Sequence, residues 1–316
     1  MVGISIRVSV GPPSGTRARR KTVAGRSMCT TLAETTFTMV GMAEEAARDA
    51  FARLVKLPDS EMDLAEGALW IAAEEYPDMR VGFYLDQIER LAGELRRRVR
   101  AEIEPDRVVE ICNQFLFQEQ RFHGNTAAYT DVRNSYLNEV MDRRTGIPVT
   151  LATVYLAVGE RAGLPVRGVG MPGHFLIRYQ GSRSKELFVD PFHARVLDRA
   201  GCEALLGETY QGQVTMRPAF LKPVLKRQIL ARILNNLKTT FMAQGDLARA
   251  LAASDRIVLA DPHLTAEWRD RGMIEHQLRR DRDALRDFNK YLSLKPEPDD
   301  AERIRTLKNE LLGRLN

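Results

Sequence analysis

The sequence predicts an α+β core set between an N-terminal helical lobe and an all-α C-terminal module of paired helices. Three observations predict it. Apolar residues recur at helical spacing from Met42 to about Arg100, the pattern changes to short strands after Pro165, and a 34-residue repeat runs through residues 223–316. At 316 residues, 44% hydrophobic and 28% charged, the chain has enough apolar material to bury the core of two ordinary domains.

Residues 1–41 are expected to be a basic, disordered extension. They are rich in Ser, Thr, Gly and Arg, show no sustained period and lack the apolar run of a secretory signal. Their acid-poor composition resembles an organelle transit peptide, but the cluster Arg17–Lys21 breaks any amphipathic face. Met42 opens a run that reads as a domain start, as though an upstream start codon had added the extension. Arg7, Arg17, Arg19, Arg20, Lys21 and Arg26 against Glu34 account for the whole net charge of +5. The remainder is neutral, so no nucleic-acid partner is expected, since phosphate binding needs Lys and Arg massed on a folded face. No apolar run is long enough for a membrane span, and no membrane partner is expected. Cys29, Cys112 and Cys202 lie far apart, which excludes a disulfide framework and suits a reducing, cytoplasmic setting.

In the helical lobe, Leu64, Ala68, Leu69, Ala72 and Ala73 form one apolar face. Asp63 is placed to start that helix and Tyr76-Pro77 to end it. Val81, Leu85, Ile88, Leu91 and Leu95 make a second stripe, and Val108, Ile111, Cys112, Phe115 and Leu116 a third. A polar stretch then holds Asn125, Asp131, Asn134, Ser135 and Asn138 around Tyr129 and Tyr136. Pro148 opens the central helix, whose stripe is Leu151, Val154, Tyr155 and Val158, and Gly163 with Pro165 stops it. Strands are predicted over Pro165–Gly170, Phe175–Tyr179 and Leu187–Asp190, with Gly181-Ser182 as a turn.

The C-terminal repeat pairs Ala250 with Ala284, Leu251 with Leu285 and Pro262 with Pro296. Trp268, Gly272, Ala284, Phe288 and Pro296 fall on the tetratricopeptide pattern, while the first copy has Leu234 and Lys238 in the Trp and Gly places. Such helix pairs normally build a peptide groove, which points to a protein or peptide partner. With about two copies the groove is short, and packing against the central domain is the simpler expectation.

Several motifs bear on chemistry. Gly168-Val-Gly170-Met-Pro-Gly173 matches G-x-G-x-x-G but leads into a predicted strand, so no nucleotide cofactor is expected. The five histidines form no metal-binding pair, and His193 three residues after Asp190 is a weak metal edge, so no metal is expected. His174 stands before a strand and Asp190 ends the next. Adjacent antiparallel strands would bring them within hydrogen-bond reach, Asp190 orienting the imidazole as in a triad or simply pairing with it as a buried structural couple.

Four strings carry a family resemblance: FQEQRFHGNTAAYTDVRNSY from Phe117, GIPVTLATVYLAVGERAGLP from Gly146, and PGHFLIR and FVDPF further on. Together with LVKLPDSEMDLAEGALWIAAEEYPD near the start, they resemble the bacterial SirB-type family from about Ala46 to Leu294. The resemblance implies a papain-like, transglutaminase-like core followed by tetratricopeptide-like repeats. It divides the chain into the extension 1–41, a transglutaminase-like domain with its helical lobe over 42–222, and repeats over 223–316. In active relatives of that fold a cysteine opens the central helix, a histidine starts a strand and an aspartate ends the next. Here those places fall on Pro148, His174 and Asp190.

The departure is at the nucleophile, because proline has neither a thiol nor an N–H. Thr150, rotated about 200° round the helix, would face away from His174. Ser135 has no motif behind it, and Cys112 and Cys202 read as buried cysteines. The expectation is a transglutaminase-like pseudoenzyme acting in protein interaction or regulation. The alternative is a cysteine-independent hydrolase in which His174 and Asp190 activate water. Glu119, Asn134, Ser135 and Pro148 are expected to line one pocket with His174 and Asp190; Asn125 belongs to the same polar set but reads first as a turn and capping residue, and for Asn134 lining and structure are evenly matched.

Overall fold

A computed structural model describes residues 44–102, 104–181, 186–294 and 300–315. The extension expected at 1–41, and Cys29 with it, lie outside the described residues. The described chain belongs to one compact unit beginning at Met42.

The helical lobe comprises α1 (residues 44–54), α2 (Leu64–Ala73), α3 (Val81–Val99) and α4 (Pro105–Asn113). Asp63 caps α2 by accepting from the Glu66 amide at 3.1 Å, a contact worth about 1 kcal/mol. α3 buries Val81, Ile88, Ala92, Leu95 and Val99, one stripe of a helix otherwise faced with charge. The third predicted helix is α4 continued by a π-helical turn, Gln114–Glu119.

Two short parallel strands, β1 (His123–Gly124) and β2 (Thr145–Gly146), flank α5 (Leu137–Arg143). The next helix, α6 (Pro148–Arg161), is buried at every residue from Val149 to Gly159, so it forms the axis of the core. Proline suits its first turn because the N–H there has no intrahelical partner. Gly163 follows with φ +85°, the left-handed conformation that stops a helix.

An antiparallel sheet follows, in the order β3 (Val166–Val169), β4 (Leu176–Gln180), β5 (Glu186–Asp190), β6 (Arg195–Leu197). The glycine run Gly168–Gly173 therefore leads from one antiparallel strand into the next and opens no helix. β6 and α7 (Arg199–Tyr210) are additions to the predicted elements. Val169, Leu176, Phe188, Cys202, Leu205 and Leu206 pack the sheet against α7 in a small second core.

The C-terminal helices are α8 (Lys226–Gln244), α9 (Leu247–Ala260), α10 (Thr265–Gln277), α11 (Asp281–Leu294) and α12 (Ala301–Leu315). Ala250 and Ala284 are both fully buried. The main hydrophobic core runs without a break from Ala47 through α2, α3 and α6 into α8 and α9, and reaches Ile274 of α10. A separate cluster holds Ala284, Phe288, Tyr291, Ile304 and Leu311 of α11 and α12.

The two repeat copies solve the same contact differently. In the second, Gly272 lets the Phe288 ring lie where a Cβ would sit 2.7 Å from it. In the first, the equivalent places are Lys238 and Ser254, both buried, and Glu267 bridges them.

Candidate functional site

Asp190 ends β5 and is only 2% exposed. It accepts from the Phe192 amide at 3.1 Å and the His193 amide at 3.3 Å, which makes an Asx turn. It also bonds His193 Nδ1 at 2.7 Å and Arg195 Nη2 at 3.1 Å. Burial pushes this carboxyl up, but the bonds from His193 and Arg195 outweigh it and hold it below the ordinary aspartate range.

His174 lies four residues beyond Gly170, just ahead of β4, and its amide bonds the Met171 carbonyl at 2.9 Å. The ring's Nε2 is 2.6 Å from Thr209 Oγ1 in α7. That hydroxyl donates its one proton to the Leu205 carbonyl at 2.8 Å. It must therefore accept from the imidazole, which assigns the proton to Nε2 and leaves the lone pair on Nδ1. Gly173, at φ +75°, permits the approach, since a Cβ there would meet Thr209 Cγ2 at 2.8 Å.

The hydrogen bond expected between His174 and Asp190 is thus not the one formed. Each takes a different partner: Asp190 bonds His193, three residues on in the same turn, and His174 bonds Thr209. Their charges still interact. Burial lowers the His174 pKa, the Asp190 carboxylate opposes this, and His193, Arg195 and Arg232 add to the lowering. The neutral imidazole is favoured in consequence.

An expected result follows. The His174 ring, followed by NMR, should titrate below its ordinary value of 6.5. Because the unfolded chain then binds the proton more readily, this group's contribution to stability is complete above pH 6.5 and declines as the pH falls through that window. His174→Gln should remove that part of the acid sensitivity. A His174 titration at or above 6.5 would contradict the assignment.

The polar segment is held together by Asn134, which is fully buried. Its amide nitrogen donates to the carbonyls of Ala128 at 2.8 Å and Tyr129 at 3.2 Å, and its oxygen accepts from Asn125 Nδ2 at 3.0 Å. Asn125 and Asn134 are thus joined to each other, and both shape the 125–134 loop. The backbone carbonyl of Asn134 accepts from Thr150 Oγ1 at 2.7 Å, tying this loop to the first turn of α6. Thr150 also accepts from the Ile147 amide at 3.2 Å, so its hydroxyl is engaged in capping α6. Pro148 is half-buried at the start of that helix, and Ser135 is buried at the end of the turn Val132–Ser135.

Aromatic contacts carry the loop to the turn after β5. The Tyr129 ring meets Phe192 edge-on at 5.8 Å, and Phe192 meets His193 at 5.0 Å. Gly124 makes room, because a Cβ there would lie 2.6 Å from the Phe192 ring. Arg232 of α8 places its guanidinium 5.8 Å from the Phe175 ring and 3.4 Å from the His174 carbonyl.

Glu119 stands apart, contrary to the expected pocket. It ends the π-helical turn and bonds Arg98 of α3 at 2.7 Å on the exposed side of the lobe. That guanidinium holds its carboxyl below the usual range. His193, Arg195, Thr209, Phe192 and Arg232 are the members that the sequence reading missed. Only His193 had a signal, its three-residue spacing from Asp190.

Among the described residues no group of three or more His, Cys, Asp or Glu side chains is arranged to hold a metal ion. None of the described helices is long and apolar enough to cross a membrane.

The chain is similar to known proteins along most of its length. Residues 83–235 match the transglutaminase-like superfamily, and residues 237–309 match the tetratricopeptide repeat. A UPF0162 protein of Xylella fastidiosa is 34% identical over 269 residues, covering 84% of this chain and 95% of the relative. Protein SirB1 of Salmonella typhimurium is 24% identical over 234 residues, 74% of this chain and 87% of that protein. F-box only protein 21 of Pongo abelii is 31% identical over 162 residues, which is 49% of this chain and 25% of that longer protein.

Proposed function

The chain belongs to the UPF0162 family, with a transglutaminase-like core and C-terminal tetratricopeptide repeats, and from that premise we propose that it is a binding protein rather than an acyltransferase. The observation that carries the reading is Pro148 in the first turn of α6. A nucleophilic thiol at that helix end would be ionised by the helix dipole and a neighbouring imidazole. Proline supplies nothing to ionise.

The described cysteines support the same reading. Burial pushes the Cys112 thiol up to about 12, and does the same to Cys202. At pH 7 such a thiol is ionised on the order of once in a hundred thousand molecules, too rarely to serve as a nucleophile. Cys202 also lies two helical turns from Thr209, about 10 Å along α7 from the contact of His174. The partners of Asp190 weigh against the water-activating alternative. With Asp190 bonded to His193 and Arg195, the orienter of His174 is a hydroxyl, which does not stabilise an imidazolium as a carboxylate does.

In this reading residues 42–222 form the transglutaminase-like part and 223–316 the repeat part. Tetratricopeptide repeats generally mediate protein–protein interaction, and the proposed partner is a protein or peptide engaged by the helical pairs, in the cytoplasm.

The test is an assay of wild type, His174→Ala and Pro148→Cys on amine-transfer and peptide substrates, with and without thiol alkylation. Wild type should show no turnover above buffer. Wild-type turnover lost in His174→Ala and resistant to alkylation would replace this reading with the hydrolase. Turnover abolished by alkylation would defeat both.

A further inference from the structure

The loop between α2 and α3 and the outer side of α5 enclose a cleft of about 500 Å³, separate from the His174 region. That volume is in the range of small-molecule sites and holds a short chain of heavy atoms rather than a folded partner. Its lining is unusual in two respects.

The first is charge. Glu75, Asp78, Glu139 and Asp142 line the cleft, and Arg80 is the one base that does. Two of the four acids also meet cations outside the lining. Glu75 meets Arg249 at 3.1 Å and Glu139 meets Arg143 at 3.9 Å, neither cation being part of the lining. Asp142 accepts the neutral Tyr84 hydroxyl at 2.7 Å. Asp78 makes no ion pair among the described residues, and it is exposed.

The second is that aromatic rings and a buried amide share the lining. Tyr76, Phe83 and Tyr84 are walls, with the Phe83 and Tyr84 rings edge to face at 5.3 Å. Phe83 is 47% exposed, a large apolar side chain left open on a helix whose first turn faces the cleft. Asn138, only 4% exposed, also lines it, and its Oδ1 is buried with no hydrogen-bond partner. An unpaired buried carbonyl oxygen costs free energy that an N–H donor would recover.

Acid, aromatic faces and an unpaired acceptor together describe a receptor for an N–H cation. A hard metal ion would not use aromatic walls, and an anion would be repelled. We propose that this cleft binds a small organic cation, an alkylammonium or alkylguanidinium, through Asp78, Glu139 and Asp142, the Phe83 ring and the Asn138 amide. The site neither uses nor depends on the reading of Pro148.

The experiment is calorimetric titration of the full chain with 1,4-diaminobutane and with butylguanidinium, at fixed ionic strength, using 1,4-butanediol as the neutral analogue. One saturable site per chain is expected for at least one of the cations and none for the diol, and the stronger arm identifies the headgroup. Asp78→Asn and Phe83→Ala change exposed side chains and should fold as wild type by circular dichroism, yet weaken binding at least tenfold. Pro148→Cys should bind as wild type. The proposal is overturned if neither cation saturates, if the diol binds equally, or if both folded variants retain wild-type affinity.

Discussion

Glu267→Ala is expected to destabilise the protein by about 3–5 kcal/mol, a large share of the stability of any ordinary domain. Glu267 is 6% exposed and holds two buried groups at once, Lys238 Nζ at 2.6 Å and Ser254 Oγ. Removing it leaves the ammonium with Asp270 at 3.3 Å, whose side chain is 37% exposed, and leaves the hydroxyl with no acceptor. Burial pushes the Glu267 carboxyl up, and Lys238 only partly offsets this, which is the sign of an ion pair bought at a desolvation cost. Such pairs are costly to break and cheap to replace. Lys238→Met with Glu267→Leu and Ser254→Ala, which also removes the hydroxyl left without an acceptor, should therefore lie within about 1.5 kcal/mol of wild type. Urea unfolding of wild type, Glu267→Ala and the combined replacement measures both; a Glu267→Ala loss below about 1 kcal/mol would show that water reaches the pair.

Asp190→Ala should cost about 3 kcal/mol, by another route. Its carboxylate organises the turn from β5 to β6, accepting from two backbone amides, His193 and Arg195. Without it two amides lose their acceptor and Phe192 loses the turn that presents its ring to Tyr129. Because the folded carboxyl titrates low, this stability is present above the ordinary aspartate value and is lost as the pH falls through the folded one. Asp190→Asn keeps an acceptor oxygen and should recover part of the loss near pH 7. Equal stability of Asp190→Ala and wild type in urea would remove Asp190 from this structural role.

What was legible in the sequence was what short-range physics decides. Asp63, Pro148 and Gly163 mark helix ends through their own backbone and side-chain chemistry, and each stands at the end it marks. Ala250 and Ala284 were found by period and are both buried. The partner of His174 was not legible, because Thr209 lies 35 residues away on a helix with no strong apolar stripe to announce it. Glu119 was misplaced for a similar reason: Arg98, from α3, captures it on the lobe's surface. Asp190 was a different error. The string Asp190-Pro-Phe-His193 is an Asx turn in plain view, and the strand pairing drew attention to His174 instead. Lys238 stands in a glycine place of the repeat, and the structure shows there an ion-paired substitute for the Gly272–Phe288 contact.

The division of the core has a mechanical consequence. α8 and α9 share one continuous hydrophobic cluster with α2, α3 and α6, whereas α11 and α12 close round Phe288 in a cluster of their own. α10 faces both, with Ile274 in the first and Trp268 against the second. α10 and α11 are held together by the Gly272–Phe288 contact and by Arg271 Nη2 on Asp287 Oδ1 at 2.9 Å. Under tension α12 should therefore leave first and α10 with α11 leave together, the break falling at the seam with α8 and α9 that Glu267 spans. Local opening of that outer repeat would leave the sheet and the His174 turn folded.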